Sequence, residues 1–505
     1  MRVRGRQLVR NVIFSLVTQA APLAVALLFT PYVIRGLGFD RFGLLSLARA
    51  ALSYLAIVEV GLGRATTRFV AEALGQKALH RVPRVIWTSL LTQLAFGLGG
   101  GAIVVLLAPT FVSRLLHVPS GLVTETVNMF FVVALCIPVI ICTRSLRGVL
   151  EALQRFDVLA AMQVPSSILV YLVPAVGVWL RLDLAQIMLL FLLVWTLTAL
   201  TYLLACLLLV PALRGVPRMD RALLRPLLSF GGWVAVSDLV IPIFVYLDRW
   251  MVGALVSVGD VTYYTVPNEM LSRLLIIPSA IAAVVFPAMS ALPSGRNGQL
   301  KRLYARTLKA ALLVMTPLLG LVGYFAGDLL RLWLGQAFAL RTTEVARMLS
   351  VGVLFNSLGM IAATVLDAAG RPDLRAKVFL SYVVAYVLWT WALIRAWGID
   401  GAALSWTLRT TVEMVLLFAV SAWVLRVDRE ALIDTGLLNA GVAFTGLVLL
   451  IVAVALAFGD QNFYAGIAVF IAIVAFGLVT WRYALQDVER RSLALLARWK
   501  DENHP

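Results

Sequence analysis

Charged residues are scarce in this chain. Only 14% of its 505 residues are charged, whereas 61% are hydrophobic, and the mean hydropathy is +0.94. Soluble globular domains carry roughly 25% charged residues, so this composition excludes an ordinary soluble protein. The apolar residues form runs of about 20, separated by short polar stretches, and this pattern predicts transmembrane helices.

Cysteine and histidine are almost absent, with three residues of each. Cys136, Cys142 and Cys206 all fall within apolar runs, where cysteine usually acts as a small packing residue. The three histidines lie far apart in sequence, so no zinc or haem ligand spacing can be built from them. We therefore expect no metal site and no cofactor.

The sequence also lacks the features of an enzyme that would act on nucleotides or polysaccharides. It has no G-x-x-x-x-G-K-[ST] phosphate-binding loop, which excludes nucleotide hydrolysis by that route. The longest predicted outer loop, at 327–344, leaves no room for the catalytic groups of a polytopic glycosyltransferase or polysaccharide ligase. We expect a protein that is not an enzyme, driven by an ion gradient or by substrate supply.

The hydropathy pattern predicts an all-α polytopic membrane protein with fourteen spans. Of the 43 lysine and arginine residues, 31 lie in or beside segments on one side of the membrane, 8 on the other, and four inside spans. By the positive-inside rule this bias places both termini in the cytoplasm. The predicted spans are 11–34, 42–65, 84–109, 126–147, 158–181, 185–210, 231–253, 262–291, 304–326, 345–367, 377–397, 402–425, 437–458 and 464–485.

The net charge of +17 follows from this topology. Basic residues on the inner side match the anionic lipids of the cytoplasmic leaflet. The charge is therefore interpreted as a topological signal, and no nucleic acid is expected as a partner.

One short segment occurs twice. "VLEALQRFDVLA" at 149–160, after span 4, shares six of twelve residues with "VLDAAGRPDLRA" at 365–376, after span 10. Because an even number of spans separates the two copies, a duplication of six helices would be parallel, with a pseudo-twofold axis along the membrane normal.

The repeat predicts two six-helix lobes. We expect an N-lobe at 1–210 (helices 1–6), a cytoplasmic interfacial linker at 211–230, a C-lobe at 231–425 (helices 7–12), and helices 13–14 with a cytoplasmic tail at 426–505. A parallel two-lobed membrane protein is typical of transport by alternating access, with the substrate held between the lobes.

Charged residues inside spans are costly and mark candidate functional positions. Span 2 contains Arg49 and Glu59, span 7 contains Asp238, and span 8 contains Glu269 and Arg273 one helical turn apart. Arg49 has no acidic residue within a turn of its own helix, so its partner would be another helix, water or a substrate anion.

Other charges have simpler interpretations. Arg409 and Glu413 in span 12 are four residues apart, so they would neutralise each other on one helical face. Arg144 and Arg147, at the inner end of span 4, are expected to reach toward lipid headgroups.

Five sequence segments resemble the multidrug/oligosaccharidyl-lipid/polysaccharide (MOP) exporter superfamily, and most of all its polysaccharide-transport branch, the Wzx-type flippases. The similarity covers about residues 11–425, with the 6 + 6 + 2 order of spans. The segments are "YVIRGLGFDRFGLLSLA", "EALQRFD", "YLDRWMVGALVSVGDVTYYTVPNEM", "LLRLWLG" and "DAAGRPDLRAK".

This resemblance implies that a polyprenyl-pyrophosphate-linked oligosaccharide, such as an O-antigen or exopolysaccharide repeat unit, is moved to the outer face of a bacterial plasma (inner) membrane. It further implies that Arg49 and Arg273 face a central substrate cavity. Glu59, Asp238 or Glu269 would line the cavity or bind a coupling H⁺ or Na⁺. The implied partners are the lipid-linked substrate, membrane lipids and a polysaccharide polymerase, and we expect a monomer.

Three alternatives remain open at this point. A flippase for the peptidoglycan precursor lipid II has similar chemistry and is poorly separated by sequence. A cation-coupled multidrug exporter of the same superfamily would need an acidic cavity, which the unpaired Arg49 disfavours. A membrane scaffold without transport activity would tolerate replacement of Arg49 and Arg273.

Overall fold

The computed structural model describes residues 22, 24–58, 60–78, 80–238, 240–290, 297–426, 433, 435–458 and 463–484. Within these ranges helices are the only regular secondary structure, and most of the described part of each predicted span is helical. Eight helices in the described ranges are long and apolar enough to cross a membrane. The predicted all-α polytopic fold is confirmed.

The chain forms two compact units, and the first comprises Met1–Thr265 with Ile394–Ile399. It therefore extends beyond the predicted boundary at residue 210 and includes the helices of span 7, whereas the division into six-helix lobes stays a prediction. Its helices are α1 (Ala24–Leu37), α2 (Phe39–Val58), α3 (Val60–Gly75), α4 (Val82–Arg114), α5 (Val123–Ala152), α6 (Phe156–Trp179), α7 (Leu184–Leu209), α8 (Arg221–Asp238), α9 (Val240–Leu255) and the start of α10 (Val258–Ser272).

The second unit comprises Val266–Leu393 and Asp400–Pro505. The helix Pro372–Leu425 leaves helical backbone geometry at Gly398, which divides predicted spans 11 and 12. The helices of the second unit are the end of α10, α11 (Ile276–Ser290), α12 (Asn297–Tyr324), α13 (Ala326–Leu334), α14 (Gln336–Ala368), α15 (Pro372–Leu425), α16 (Leu437–Phe458) and α17 (Phe463–Val479).

Helix packing in the first unit centres on α3, α4, α5 and α7. Val70, Ile86, Leu150 and Cys206 are at most 1% exposed and belong to one apolar cluster. All three cysteines are free, and two of them are buried, as expected for packing residues. This cluster fixes the positions of the helices that surround the cavity described below.

The duplicated segment forms the same turn at both places. The same three backbone hydrogen bonds occur within each turn, at positions that are 216 residues apart in the sequence. Gln154 and Gly370 occupy the same left-handed position, with φ of +57° and +73°. The two turns are therefore alike in backbone structure as well as in sequence.

Each turn is also closed by the same ion pair. The guanidinium of Arg155 donates two hydrogen bonds to Asp157, at 2.9 and 2.8 Å. Arg371 donates in the same way to Asp373, at 3.0 and 3.2 Å. Arginine and aspartate match in this bidentate geometry. The ion pair therefore explains why both residues recur in the two copies of the segment.

Candidate functional site

A cavity of about 630 Å³ lies in the first unit, among α2, α3, α5, α6 and α7. Its lining runs from the middle of these helices toward their predicted cytoplasmic ends. The lining residues are Arg49, Leu52, Ser53, Gly63, Arg64, Thr67, Ile140, Thr143, Arg144, Arg147, Gly148, Glu151, Gln163, Ser166, Ser167, Val170, Trp195, Thr198 and Tyr202.

Four arginines give the cavity a strong positive charge. Arg49 comes from α2, Arg64 from α3, and Arg144 and Arg147 from α5. The only carboxylate among the lining residues is Glu151, and Arg147 donates to it at 2.9 Å across one helical turn. The excess of fixed cationic groups makes the cavity suited to an anion.

Arg49 is held by an aromatic ring. Its guanidinium carbon lies 5.6 Å from the centroid of the Tyr171 ring, a cation–π geometry that stabilises a cation without neutralising it. Among the described residues, no carboxylate lies within ion-pair distance of Arg49. The side chain is half-buried, so its charge remains available to a ligand.

Small residues bring α3 and α5 together beside the cavity. A Cβ atom on Gly148 would lie 2.7 Å from the Thr67 hydroxyl and 2.9 Å from the Gly63 carbonyl oxygen, so only glycine fits there. Next to this crossing, the hydroxyls of Thr66 and Ser145 form a buried hydrogen bond of 3.0 Å. Such small and hydroxylated residues allow close packing of membrane helices.

The opposite side of the cavity is neutral and polar. Apart from the aliphatic Val170, the lining residues of α6 and α7 carry hydroxyl, amide and aromatic groups, and none of them is charged. Ser166 and Thr198 join the two helices by a hydrogen bond of 3.1 Å. The Trp195 ring stacks on Phe191 at a centroid distance of 5.3 Å, which fixes its orientation.

The residues selected from sequence fall in different places. Arg49 lines the cavity, whereas Glu59 lies outside the described residues. Asp238 is the last residue of α8, and its side chain is also outside the described set. Glu269 and Arg273 belong to the second unit, where both are half-buried and both interact with neighbouring groups.

Two expectations about other charged residues had different outcomes. Arg409 donates to Glu413 at 3.0 Å, and the two side chains are 8% and 15% exposed, so the predicted self-neutralising pair is confirmed. Arg144 and Arg147 line the cavity, and their reach toward lipid headgroups stays a prediction. Position along a span did not reveal which face of α5 packs toward α2 and α3.

Aromatic and polar contacts join the predicted outer ends of helices in the first unit. Phe39, which begins α2, stacks on Tyr263 of α10 at 4.7 Å, and the Thr262 hydroxyl donates to the Phe39 carbonyl at 2.6 Å. Phe111 of α4 meets Trp250 of α9 edge to face at 5.4 Å. These contacts connect helices that sequence analysis assigned to different lobes.

Sequence comparison decides the family. Residues 8–292 match the model of a family described as "Polysaccharide biosynthesis protein". The chain belongs to this family. The predicted resemblance to the polysaccharide-transport branch of the MOP superfamily is thereby confirmed.

Individual relatives agree with this family. The chain is 27% identical over 419 residues to a Shigella flexneri protein named "Putative O-antigen transporter", covering 81% of this chain and 96% of that protein. It is 26% identical over 176 residues to the "Probable flippase AglR" of Haloferax volcanii, covering 34% of this chain and 36% of that one. The names describe transporters and flippases, in agreement with the expectation that the chain is not an enzyme.

Solved structures share the fold. The lipid II flippase MurJ in an inward closed conformation aligns with a TM-score of 0.72 at 14% identity, over 93% of this chain and 97% of its own. An inward-facing multidrug resistance MATE transporter of the MOP superfamily aligns with a TM-score of 0.67 at 16% identity, over 81% and 98%. The fold of this family member is therefore that of a MOP-superfamily transporter.

Proposed function

We propose that the protein is a flippase that moves a polyprenyl-pyrophosphate-linked oligosaccharide, an O-antigen or exopolysaccharide repeat unit, from the inner to the outer leaflet. The observation that carries this proposal is the cavity lined by four arginines and one carboxylate in a chain of the polysaccharide biosynthesis family. The chain is a multi-pass membrane protein, and the relative that aligns over 81% of it is named a putative O-antigen transporter.

The chemistry of the substrate head fits this cavity. A pyrophosphate is multiply anionic, and the planar donor fork of arginine matches phosphate oxygens better than the ammonium of lysine does. Arg49, near the middle of α2, would receive the pyrophosphate after it enters past Arg64, Arg144 and Arg147. The polyprenyl tail would remain in lipid, because its transfer into a cationic cavity would be unfavourable.

Alternating access is the proposed mechanism. The contacts of Phe39 with Tyr263 and of Phe111 with Trp250 would close the outer end while the cavity receives substrate from the cytoplasmic leaflet. Release outside would require these contacts to separate. Arg273, in the second unit, is proposed as a further substrate-binding residue, and Glu59, Asp238 or Glu269 would bind a coupling H⁺ or Na⁺.

The proposed location is the bacterial inner membrane with both termini in the cytoplasm, from the 31-to-8 distribution of basic residues. We propose a monomer, because one chain carries both halves of the predicted pathway. A polysaccharide polymerase would act on the product at the outer face.

Two other functions are distinguishable by experiment. A lipid II flippase is the second candidate, since MurJ shares the fold and lipid II also carries a pyrophosphate. A multidrug exporter for cationic compounds is disfavoured by the four arginines of the cavity, which would repel a cationic drug.

Deletion of the gene in its native host tests these possibilities. The proposed function predicts that polyprenyl-pyrophosphate oligosaccharide accumulates in extracted lipids while surface polysaccharide is lost. Rescue should succeed with the wild-type gene and fail with Arg49→Ala at equal expression. Accumulated lipid II would support the second candidate, and unchanged lipid intermediates with increased sensitivity to cationic dyes would support the drug exporter.

A further inference from the structure

We propose that the α6–α7 side of the cavity is a sugar-binding subsite, separate from the arginine side that binds the pyrophosphate. This inference rests on the proposed function and deepens it. Residues of α2, α3 and α5 supply all four arginines of the lining, whereas those of α6 and α7 supply only uncharged groups. The two sides therefore offer different chemistry to one elongated ligand.

The uncharged lining residues of α6 form a continuous face on that helix, and those of α7 do the same. On α7, Trp195, Thr198 and Tyr202 are spaced at i, i+3 and i+7. On α6, the lining residues have a similar spacing of i, i+3, i+4 and i+7, and they are Gln163, Ser166, Ser167 and Val170. Residues with this spacing lie above one another on a helix. Seven residues of helix span about 10 Å, which is roughly the length of two sugar rings.

The hydroxyl groups of this face are arranged as hydrogen-bond acceptors. Ser167 donates its proton to the Gln163 carbonyl at 2.8 Å. Thr198 donates to the Val194 carbonyl at 2.8 Å and accepts from Ser166, which leaves one lone pair of Thr198 for a ligand. A hydroxyl that donates within its own helix keeps its lone pairs for other groups. Sugar hydroxyls supply the matching donors, whereas phosphate oxygens at neutral pH have no proton to give.

Arginine has the opposite capacity. Its guanidinium has five donors and no acceptor, so Arg49, Arg64, Arg144 and Arg147 match phosphate oxygens. A ligand with phosphates at one end and sugars at the other would therefore orient itself across the cavity. The orientation would place the sugars on α6 and α7.

Trp195 supplies an apolar platform on the same face. Its indole ring is half-buried at the cavity and is held by Phe191 at an interplanar angle of 24°. The electron-rich face of an aromatic ring attracts the positively polarised C–H groups on the apolar side of a pyranose. A preoriented ring loses little conformational freedom when a sugar binds.

Binding to two probes tests the subsite. Purified protein in lipid nanodiscs would be titrated with bare polyprenyl pyrophosphate and with the same lipid carrying the oligosaccharide repeat unit of the native host. Trp195→Ala should weaken binding of the glycan-bearing probe by about tenfold and change binding of the bare probe by less than about twofold. Arg144→Ala should weaken both probes by similar factors.

Two further variants control for folding and for aromatic loss in general. Trp195→Phe keeps a ring and should retain most of the preference for the glycan-bearing probe. Trp179→Ala removes a tryptophan that is 75% exposed at the end of α6 and should leave both affinities unchanged. Size-exclusion profiles and melting temperatures would verify that each variant is folded.

The outcomes distinguish a failure of the sugar-subsite inference from a failure of the proposed flippase function. Equal weakening of both probes by Trp195→Ala, or no weakening of either, would overturn the sugar subsite while leaving the flippase proposal in place. If neither probe binds the wild-type protein, the proposed function fails and the subsite fails with it.

Discussion

The guanidinium of Arg49 lies over the ring of Tyr171, 5.6 Å from the ring centroid. This contact joins α2 to α6 at the edge of the cavity and orients a charged group that has no carboxylate partner among the described residues. The ring stabilises the cation through its quadrupole and leaves the outer edge of the guanidinium free to bind oxygen atoms. The arrangement favours arginine over lysine at this position.

Arg49→Lys therefore separates charge from geometry. Lysine keeps the positive charge but loses the planar donor fork and most of the stacking, so we expect substrate affinity to fall about tenfold, with a larger loss in Arg49→Ala. The measurement is binding of the lipid-linked oligosaccharide in nanodiscs. Arg84→Ala, at an exposed arginine of α4, is the matched control. Equal substrate affinity of Arg49→Lys and the wild type would argue against a bidentate role.

The crossing of α3 and α5 predicts a position-specific effect of adding one methyl group. Gly148→Ala would place a Cβ 2.9 Å from the Gly63 carbonyl, and such overpacking typically costs 1–3 kcal/mol. Gly99→Ala on α4 meets nothing within 4 Å and should be neutral or slightly stabilising.

Melting temperatures in detergent would compare these two glycine variants. A clear decrease for Gly148→Ala alone is the expected result, accompanied by reduced binding because Arg64 and Arg144 would move apart. Similar melting temperatures for both variants would show that the close approach does not limit packing there.

Much of the fold followed from one-dimensional signals. Runs of apolar residues predicted the all-α polytopic fold, and the i, i+4 spacing of Arg409 and Glu413 gave their contact directly. The duplicated turn was visible because six of its twelve residues are identical, including the Arg and Asp that form the ion pair in each copy. These features depend only on residues close together in sequence.

The cavity could not be predicted in the same way, because its lining comes from helices that are far apart in the sequence. Arg144 and Arg147 sit near a predicted membrane boundary, so position alone favoured lipid headgroups. Only the close crossing at Gly148 determines that this face of α5 turns toward α2 and α3. The helix spacing of Trp195, Thr198 and Tyr202 was available as a signal, but apolar residues on every face of α7 obscured it.

The paired turns allow a test in which one site controls for the other. Gly370→Gln would place a side chain at φ +73°, where an L-residue costs roughly 1–2 kcal/mol, so the melting temperature should fall. Gln154→Gly relieves the same strain at φ +57° but adds backbone entropy to the unfolded chain. A change near zero is expected for that variant, and an equal decrease in both would contradict the structural equivalence of the turns.

The Arg409–Glu413 pair should respond strongly to the loss of one partner. Glu413→Gln removes the carboxylate that pairs with an arginine whose side chain is 8% exposed, and breaking a buried pair typically costs 3–5 kcal/mol. Arg409→Met combined with Glu413→Gln removes both charges and should recover part of the loss. Thermal unfolding of the two single variants, Glu413→Gln and Arg409→Met, and of the double variant gives the coupling energy, which would be near zero if lipid or water already screened the pair.

The most direct test of the flippase is transport by the purified protein. Proteoliposomes would be loaded on one leaflet with a fluorescent polyprenyl-pyrophosphate oligosaccharide, and its appearance on the other leaflet followed by a membrane-impermeant quencher. We predict protein-dependent translocation that is lost in Arg49→Ala and retained in Arg84→Ala. Translocation at the same rate in empty liposomes, or unchanged translocation by Arg49→Ala, would contradict the proposal that this arginine-lined cavity carries the substrate.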